Sequence, residues 1–250
     1  MGKKLALTLK IWRQESNKAK GKFETYKLKD IDTDASFVEM LDVLNEELAL
    51  AGKQPVAFET DCREGICGCC GAMVNGHAHG PQRETTLCQL HMRLFENNDT
   101  IIVEPFRAKA MPLIKDLIID RSSLTRIIAK GGYVSVRTGS APDANSILIR
   151  KENAEAAMDA AQCIGCGACA AACPNAAAML YTAAKVSQLA LLPQGHPERE
   201  KRVSEMLTQM DKEGFGNCSN SYECEIVCPK GISVTNIARL NKEYLRALLN

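Results

Sequence analysis

Twelve cysteines in a chain of 250 residues are its chemical signature, and they fall into three groups. The first is Cys62-x4-Cys67-x2-Cys70, followed by Cys88 after seventeen intervening residues, with Cys69 inside the run. The second is Cys163-x2-Cys166-x2-Cys169-x3-Cys173-Pro174, within "CIGCGACAAACP". The third is Cys218-x5-Cys224-x3-Cys228-Pro229. Clustered thiols serve either as disulfides, in an oxidising compartment, or as soft metal ligands in a reducing one. The opening "MGKKLALTLK" has an apolar run too short for a secretion signal. A chain of this length also builds a core without covalent staples. Metal is therefore the expected reading.

The first spacing is that of a plant-type [2Fe–2S] loop. Such a loop wraps a small anionic cluster and turns backbone N–H groups inward, and Gly65, Gly68 and Gly71 give it the required freedom. Cys62, Cys67, Cys70 and Cys88 make four ligands. Cys69 is then spare, a small side chain at a place where serine would also fit. The second group has the bacterial ferredoxin spacing, in which three cysteines hold one cubane and the fourth serves another cluster. Cys228, also followed by proline, completes the set begun by Cys163, Cys166 and Cys169. Cys218 and Cys224 remain to join Cys173. Where two-residue gaps would put a middle ligand the chain has Ser221, and three thiolates suit a [3Fe–4S] cluster. Zinc is the alternative, since paired C-x2-C motifs also bind it. It would not favour two Cys-Pro endings or a glycine-rich x4-x2 loop. A radical enzyme is disfavoured because no C-x3-C-x2-C run occurs. His77, His79, His91 and His196 read as loop or surface residues, and nothing near His77 and His79 completes a metal pair.

The elements that must position these thiols divide near Ala110. Residues 1–110 read as strands around one helix. "LALTLKIWR" and "FETYKLKD" alternate apolar and polar residues, which predicts a hairpin. Phe37, Leu41, Leu44 and Leu48 recur at helical spacing between Ser36 and a Gly52 stop. Asn75-Gly76 marks a turn, and "DTIIVEPF" predicts a closing strand. From Met111 the pattern reads as helical: "PLIKDLIIDRSSLTRIIAKGG", "NAEAAMDAAQC", Ala176 to Leu192, Glu198 to Met210, and a last helix with Ile237, Leu240, Tyr244 and Leu248 on one face. The expected fold class is α+β, a small mixed sheet followed by an all-helical unit over 111–250.

Composition is ordinary for a folded protein, 46% hydrophobic and 24% charged, and the net charge of +1 gives no reason to expect nucleic acid. Residues 1–29 carry nine Lys or Arg against two Glu. They suit an acidic partner, an anionic surface, or an edge strand guarded by lysines. No apolar run approaches the roughly 20 residues of a membrane span. No G-x-G-x-x-G turn is present to cradle a flavin's phosphates, so flavin chemistry would sit in another chain.

With "CREGICGCCG", "CIGCGACAAACP" and "CSNSYECEIVCPKG" in this order, together with "IKDLIIDRS" between them, the chain resembles the iron–sulfur subunit of succinate dehydrogenase/fumarate reductase over almost its full length. That resemblance implies a β-grasp ferredoxin-like domain over 1–110 and a helical ferredoxin domain over 111–250. It implies [2Fe–2S] on Cys62, Cys67, Cys70 and Cys88. It implies [4Fe–4S] on Cys163, Cys166, Cys169 and Cys228, and [3Fe–4S] on Cys173, Cys218 and Cys224. The chain would relay electrons between the FAD of a flavoprotein subunit and the quinone of a cytochrome b-type membrane anchor. The complex would act in the tricarboxylic acid cycle or in fumarate reduction, and the subunit would lie on the cytoplasmic face of the cell membrane. Two departures stand out. The segment from Cys70 to Cys88 is longer than the family usually has. The tryptophan that many members place after the second group is replaced by "CPNAAAML", the only tryptophan being Trp12. The expectation is therefore transfer to a haem-carrying anchor, with quinone bound elsewhere. The rival readings are an electron-wire subunit of a related soluble or thiol-linked fumarate reductase, and a zinc-stabilised interaction module.

Overall fold

The computed structural model describes residues 3–135, 139–140, 142–143 and 145–249; residues 1–2, 136–138, 141, 144 and 250, included in the two expected domain ranges, lie outside the described residues. Alternation sets the first hairpin. In β1 (Lys4–Arg13) Leu5, Leu7, Leu9 and Ile11 all turn into the core. Antiparallel β2 (Lys22–Asp32) pairs with it, Leu9 facing Tyr26. β2 lies at the sheet edge, and its Lys22, Lys27 and Lys29 are exposed, which discourages strand addition by another chain. β3 (Met73–Val74) and β4 (His77–Ala78) are joined by Asn75 and Gly76, both at positive φ (51° and 80°), as a tight hairpin turn requires. β5 (Thr100–Glu104) runs parallel to β1. The mixed sheet has the order β2-β1-β5-β3-β4.

Helix α1 (Phe37–Leu50) starts on a complete capping box. The Glu39 N–H donates to Ser36 Oγ (3.2 Å), and the Ser36 N–H donates to the Glu39 carboxylate (2.6 Å). Its Phe37, Val38, Met40, Leu41, Leu44 and Leu48 pack into the same core as the β1 leucines, and Gly52 follows the helix at φ +65°.

The segment after Met111 departs from the helical reading. It forms a short hairpin, β6 (Leu113–Lys115) and β7 (Ile118–Ile119), so residues 111–250 are not all helical. Asp116 decides this. Its backbone is left-handed (φ 47°), its carboxylate accepts the N–H groups of Gln14 (2.8 Å) and Ala57 (2.9 Å), and Arg13 Nε lies 3.2 Å away. Leu117 joins the first core while Met111 and Ile119 join the second, so the hairpin is shared between them.

The remaining elements are helical: α2 (Ser122–Gly131), α3 (Lys151–Ala161), α4 (Ala168–Ala172), α5 (Met179–Leu191), α6 (Arg199–Lys212), α7 (Glu223–Ile226) and α8 (Thr235–Leu249). α5 is central, with nine buried residues, and packs against α3, α6 and α8. It begins at Met179 rather than Ala176, because Ala176 is left-handed (φ 51°) and its carbonyl accepts from Gly216 N–H. α8 buries Asn236, Ile237, Leu240 and Glu243, whereas Tyr244 and Leu248 are exposed. Glu243 takes the inward position because its carboxylate is gripped by Arg199. Buried Arg202 joins the end of α2 to α6, donating to the carbonyls of Gly131 (2.7 Å), Tyr133 (2.9 Å) and Gly195 (2.7 Å). Among the described residues no helix is long and apolar enough to cross a membrane.

Candidate metal centres

All twelve cysteines are free thiols, and they gather in three places. The first loop curls tightly around Cys62. The N–H groups of Glu64 and Cys67 each point at its sulfur from 3.4 Å, and the Cys69 N–H points at the Cys67 sulfur from 3.5 Å. Arg63, Gly65 and Gly68 sit at positive φ to make this curl. Donation from the Glu64 and Ile66 amides draws the Cys62 thiol down to about 7. Burial pushes Cys70 the other way, to about 12.

Cys88 reaches the same place despite the long insert. It sits in a one-turn 3₁₀ helix (Leu87–Gln89), stands close enough to Cys70 to perturb its thiol, and has Thr86 Oγ1 3.2 Å from its sulfur. Two contacts hold that turn. Gln89 Nε2 donates to the Arg63 carbonyl (2.7 Å), and the Leu87 N–H donates to His79 Nδ1 (3.3 Å). His79 is thus no surface residue: it is 1% exposed and stands edge-on to Phe106. Because Nδ1 accepts, the proton belongs on Nε2, which is buried with no partner. Burial lowers the His79 pKa to about 4. The Cys69 sulfur lies near the Cys67 sulfur and the Asp61 carboxylate, all within 4.8 Å.

Cys163, Cys166, Cys169 and Cys228 line a single small pocket, walled by Leu180, Tyr181 and Ile232. Gly165 and Gly167, at φ 65° and 85°, let the chain turn around it. The Ile232 N–H points at the Cys228 sulfur from 3.4 Å. Burial pushes all four thiols up, Cys166 to about 12. Four thiolates are tolerable in such a place only against a strongly positive centre. Three thiols from one loop and a fourth, next to a proline, from a distant segment are the ligand pattern of an iron–sulfur cluster. An iron–sulfur cubane fits this donor set.

In the third place Cys224 feels the charges of both Cys173 and Cys218, and burial lifts its thiol to about 11. Asn175 ties the two chain segments together: its Nδ2 donates to the Asn217 carbonyl (2.8 Å) and to Ser219 Oγ (3.0 Å), on either side of Cys218. The contact is close enough that a Cβ on Gly216 would fall 1.9 Å from the Asn175 oxygen. Ser221 is exposed in the same loop. The spacing of cysteines gave no sign of Asn175, Gln89 or His79, since each acts through a partner that is not itself a cysteine.

The first and second places touch. Gly68, at φ +73°, lies so near the other loop that a Cβ there would meet the Ile164 carbonyl oxygen at 2.5 Å and Cys166 Cα at 3.2 Å.

Two family profiles match the chain, a "2Fe-2S iron-sulfur cluster binding domain" over residues 8–126 and a "4Fe-4S dicluster domain" over residues 148–232. A succinate dehydrogenase iron–sulfur subunit of Bacillus subtilis is 30% identical over 196 residues, covering 76% of this chain and 72% of that one. A fumarate reductase iron–sulfur subunit of Wolinella succinogenes is 25% identical over 252 residues, covering 98% and 99%. Among solved structures, a chain of the Mycobacterium smegmatis Sdh1 complex in the apo form matches with a TM-score of 0.63 at 16% identity, over 99% of each chain.

Proposed function

Since the chain belongs to the family of succinate dehydrogenase and fumarate reductase iron–sulfur subunits, we propose that it carries three clusters in line between a flavoprotein subunit and a membrane anchor. The observation that carries this reading is the gathering of its cysteines into three places, the first two in backbone contact at Gly68. Cys62, Cys67, Cys70 and Cys88 hold [2Fe–2S] in a β-grasp domain over 1–110. Cys163, Cys166, Cys169 and Cys228 hold [4Fe–4S], and Cys173, Cys218 and Cys224 hold [3Fe–4S], in a helical ferredoxin domain over 111–250. When bound, such clusters supply one-electron carriage at potentials set by hydrogen bonding, charge and burial.

This chain's own residues prepare each site for that charge. Amides aimed at the Cys62, Cys67 and Cys228 sulfurs stabilise added negative charge there. Leu180, Tyr181 and Ile232 exclude water from the second site. Exposed Ile66, beside Cys67, suits contact with the FAD-bearing subunit, and exposed Tyr222 and Ile226, flanking Cys224, suit contact with the anchor. Segment 175–179 offers no aromatic wall: Asn175 is spent on Asn217 and Ser219, while Ala177 and Ala178 are buried. This supports transfer to a haem-carrying anchor, with quinone bound away from that segment. The subunit then lies peripherally on the cytoplasmic face of the membrane.

The test is to isolate the complex from its source membrane and add succinate under anaerobic conditions. Reduction of the clusters of this chain, with flavoprotein and anchor co-purified, is the expected result. A complex whose clusters succinate leaves oxidised, but which another donor reduces, overturns the dicarboxylate reading in favour of a different flavoprotein partner.

A further inference from the structure

We propose that Arg121 is the positioning residue at the junction of the first and second clusters, holding the two loops together and raising the potential of the first. This inference rests on the three-cluster reading above. Arg121 immediately precedes α2, whose first N–H, from Ser122, is held by the Asp120 carboxylate at 2.8 Å. From there the guanidinium reaches back into the first loop. It donates to the Gly68 carbonyl, and it pairs with the Glu59 carboxylate at 3.0 Å. It also stands within electrostatic reach of Cys166 on the second loop. Gly68 is the residue whose backbone presses against Ile164 and Cys166. One side chain therefore grips the first loop at the point where it meets the second.

The geometry fixes the sign and order of the electrostatic effect. An electron arriving at either cluster adds negative charge, which a nearby cation stabilises, so Arg121 raises both potentials. The effect is larger at the first cluster, because the carbonyl that the guanidinium grips, that of Gly68, belongs to that loop. Glu59 opposes it. Arg121 is 21% exposed and Glu59 39%, so solvent screens part of the interaction but not all of it.

The experiment is an EPR-monitored redox titration of the cluster-loaded chain, wild type against Arg121→Gln, Arg121→Lys and Glu59→Gln. Arg121→Gln is expected to disfavour reduction of [2Fe–2S] at least tenfold, a fall of about 59 mV for a one-electron couple, with a smaller fall at [4Fe–4S]. Glu59→Gln is expected to shift [2Fe–2S] the opposite way, and Arg121→Lys to stay nearer wild type than Arg121→Gln. A [2Fe–2S] potential unchanged in Arg121→Gln overturns the proposal, as does a shift of the same sign in Arg121→Gln and Glu59→Gln. If Arg121→Gln fails to assemble the first cluster, Glu59→Gln decides: an upward shift upholds the tuning role and no shift refutes it. Failure of the three-cluster reading looks different, since wild-type protein would then show no [2Fe–2S] signal on reduction.

Discussion

Replacing Gly68 by alanine tests how closely the two cluster loops approach. Two costs add. A side chain at φ +73° occupies the left-handed region, at roughly 1 kcal/mol. The new Cβ would also lie 2.5 Å from the Ile164 oxygen and 3.2 Å from Cys166 Cα, both backbone atoms that cannot swing aside. The loops must part by about 1 Å to restore ordinary contact, and overpacking of this kind costs typically 1–3 kcal/mol. The total is about 3 kcal/mol, which for a protein of this size lowers Tm by roughly 6–12 °C. Gly76→Ala is the control, because Gly76 has a similar backbone (φ +80°) but nothing within 4 Å of its would-be Cβ. It bears the backbone cost alone. The assay is thermal unfolding of cluster-loaded protein, followed by loss of visible absorbance. Equal Tm values for Gly68→Ala and Gly76→Ala would refute the claim that the two loops are in contact.

Three further outcomes are expected. Asn175→Ala removes two hydrogen bonds across the third site, worth about 2 kcal/mol together; the oxidised [3Fe–4S] signal should fall while [2Fe–2S] and [4Fe–4S] remain, and an unaltered [3Fe–4S] signal would contradict the clamp. Ser221→Cys should supply a fourth thiolate and convert the third cluster to a cubane, abolishing the oxidised EPR signal; a retained signal would show that position 221 does not face the cluster. His79 concerns acid stability. Its pKa is lowered from 6.5 to about 4 by burial, so the unfolded chain takes up a proton that the folded one refuses. The stability this group contributes is complete above pH 6.5 and is lost as pH falls through about 4, roughly 3 kcal/mol in all. Urea midpoints measured between pH 7 and 4 should fall less steeply in His79→Leu, and parallel slopes would show that His79 does not titrate this way.

The curl of the first cysteine loop was legible in the spacing, because short gaps put Cys62 and Cys67 on one turn of chain. The Ser36 cap, the Asn75-Gly76 turn and the β1 alternation were legible for the same reason, each being settled within a few residues. The hairpin at 113–119 was not. Its Leu113, Ile114, Leu117 and Ile118 have helical spacing, and the competing term is Asp116, which accepts from Gln14 and Ala57 across more than fifty residues of chain. α8 shows the same limit: apolar spacing favoured Tyr244 and Leu248, but the Arg199–Glu243 pair turned the helix. His79 looked like a loop histidine until the insert it anchors folded over it. Arg121 lies in the "IKDLIIDRS" segment, which holds no cysteine, and only the meeting of two loops gives its charge a place to act.

The central claim is that three unlike clusters are held by these cysteines, and EPR of the anaerobically purified protein tests it most directly. The expected result is a near-isotropic [3Fe–4S] signal in the oxidised protein that vanishes on mild reduction, with a [2Fe–2S] signal appearing as it does so. An oxidised sample without signal, giving only coupled [4Fe–4S] signals after dithionite, would contradict it.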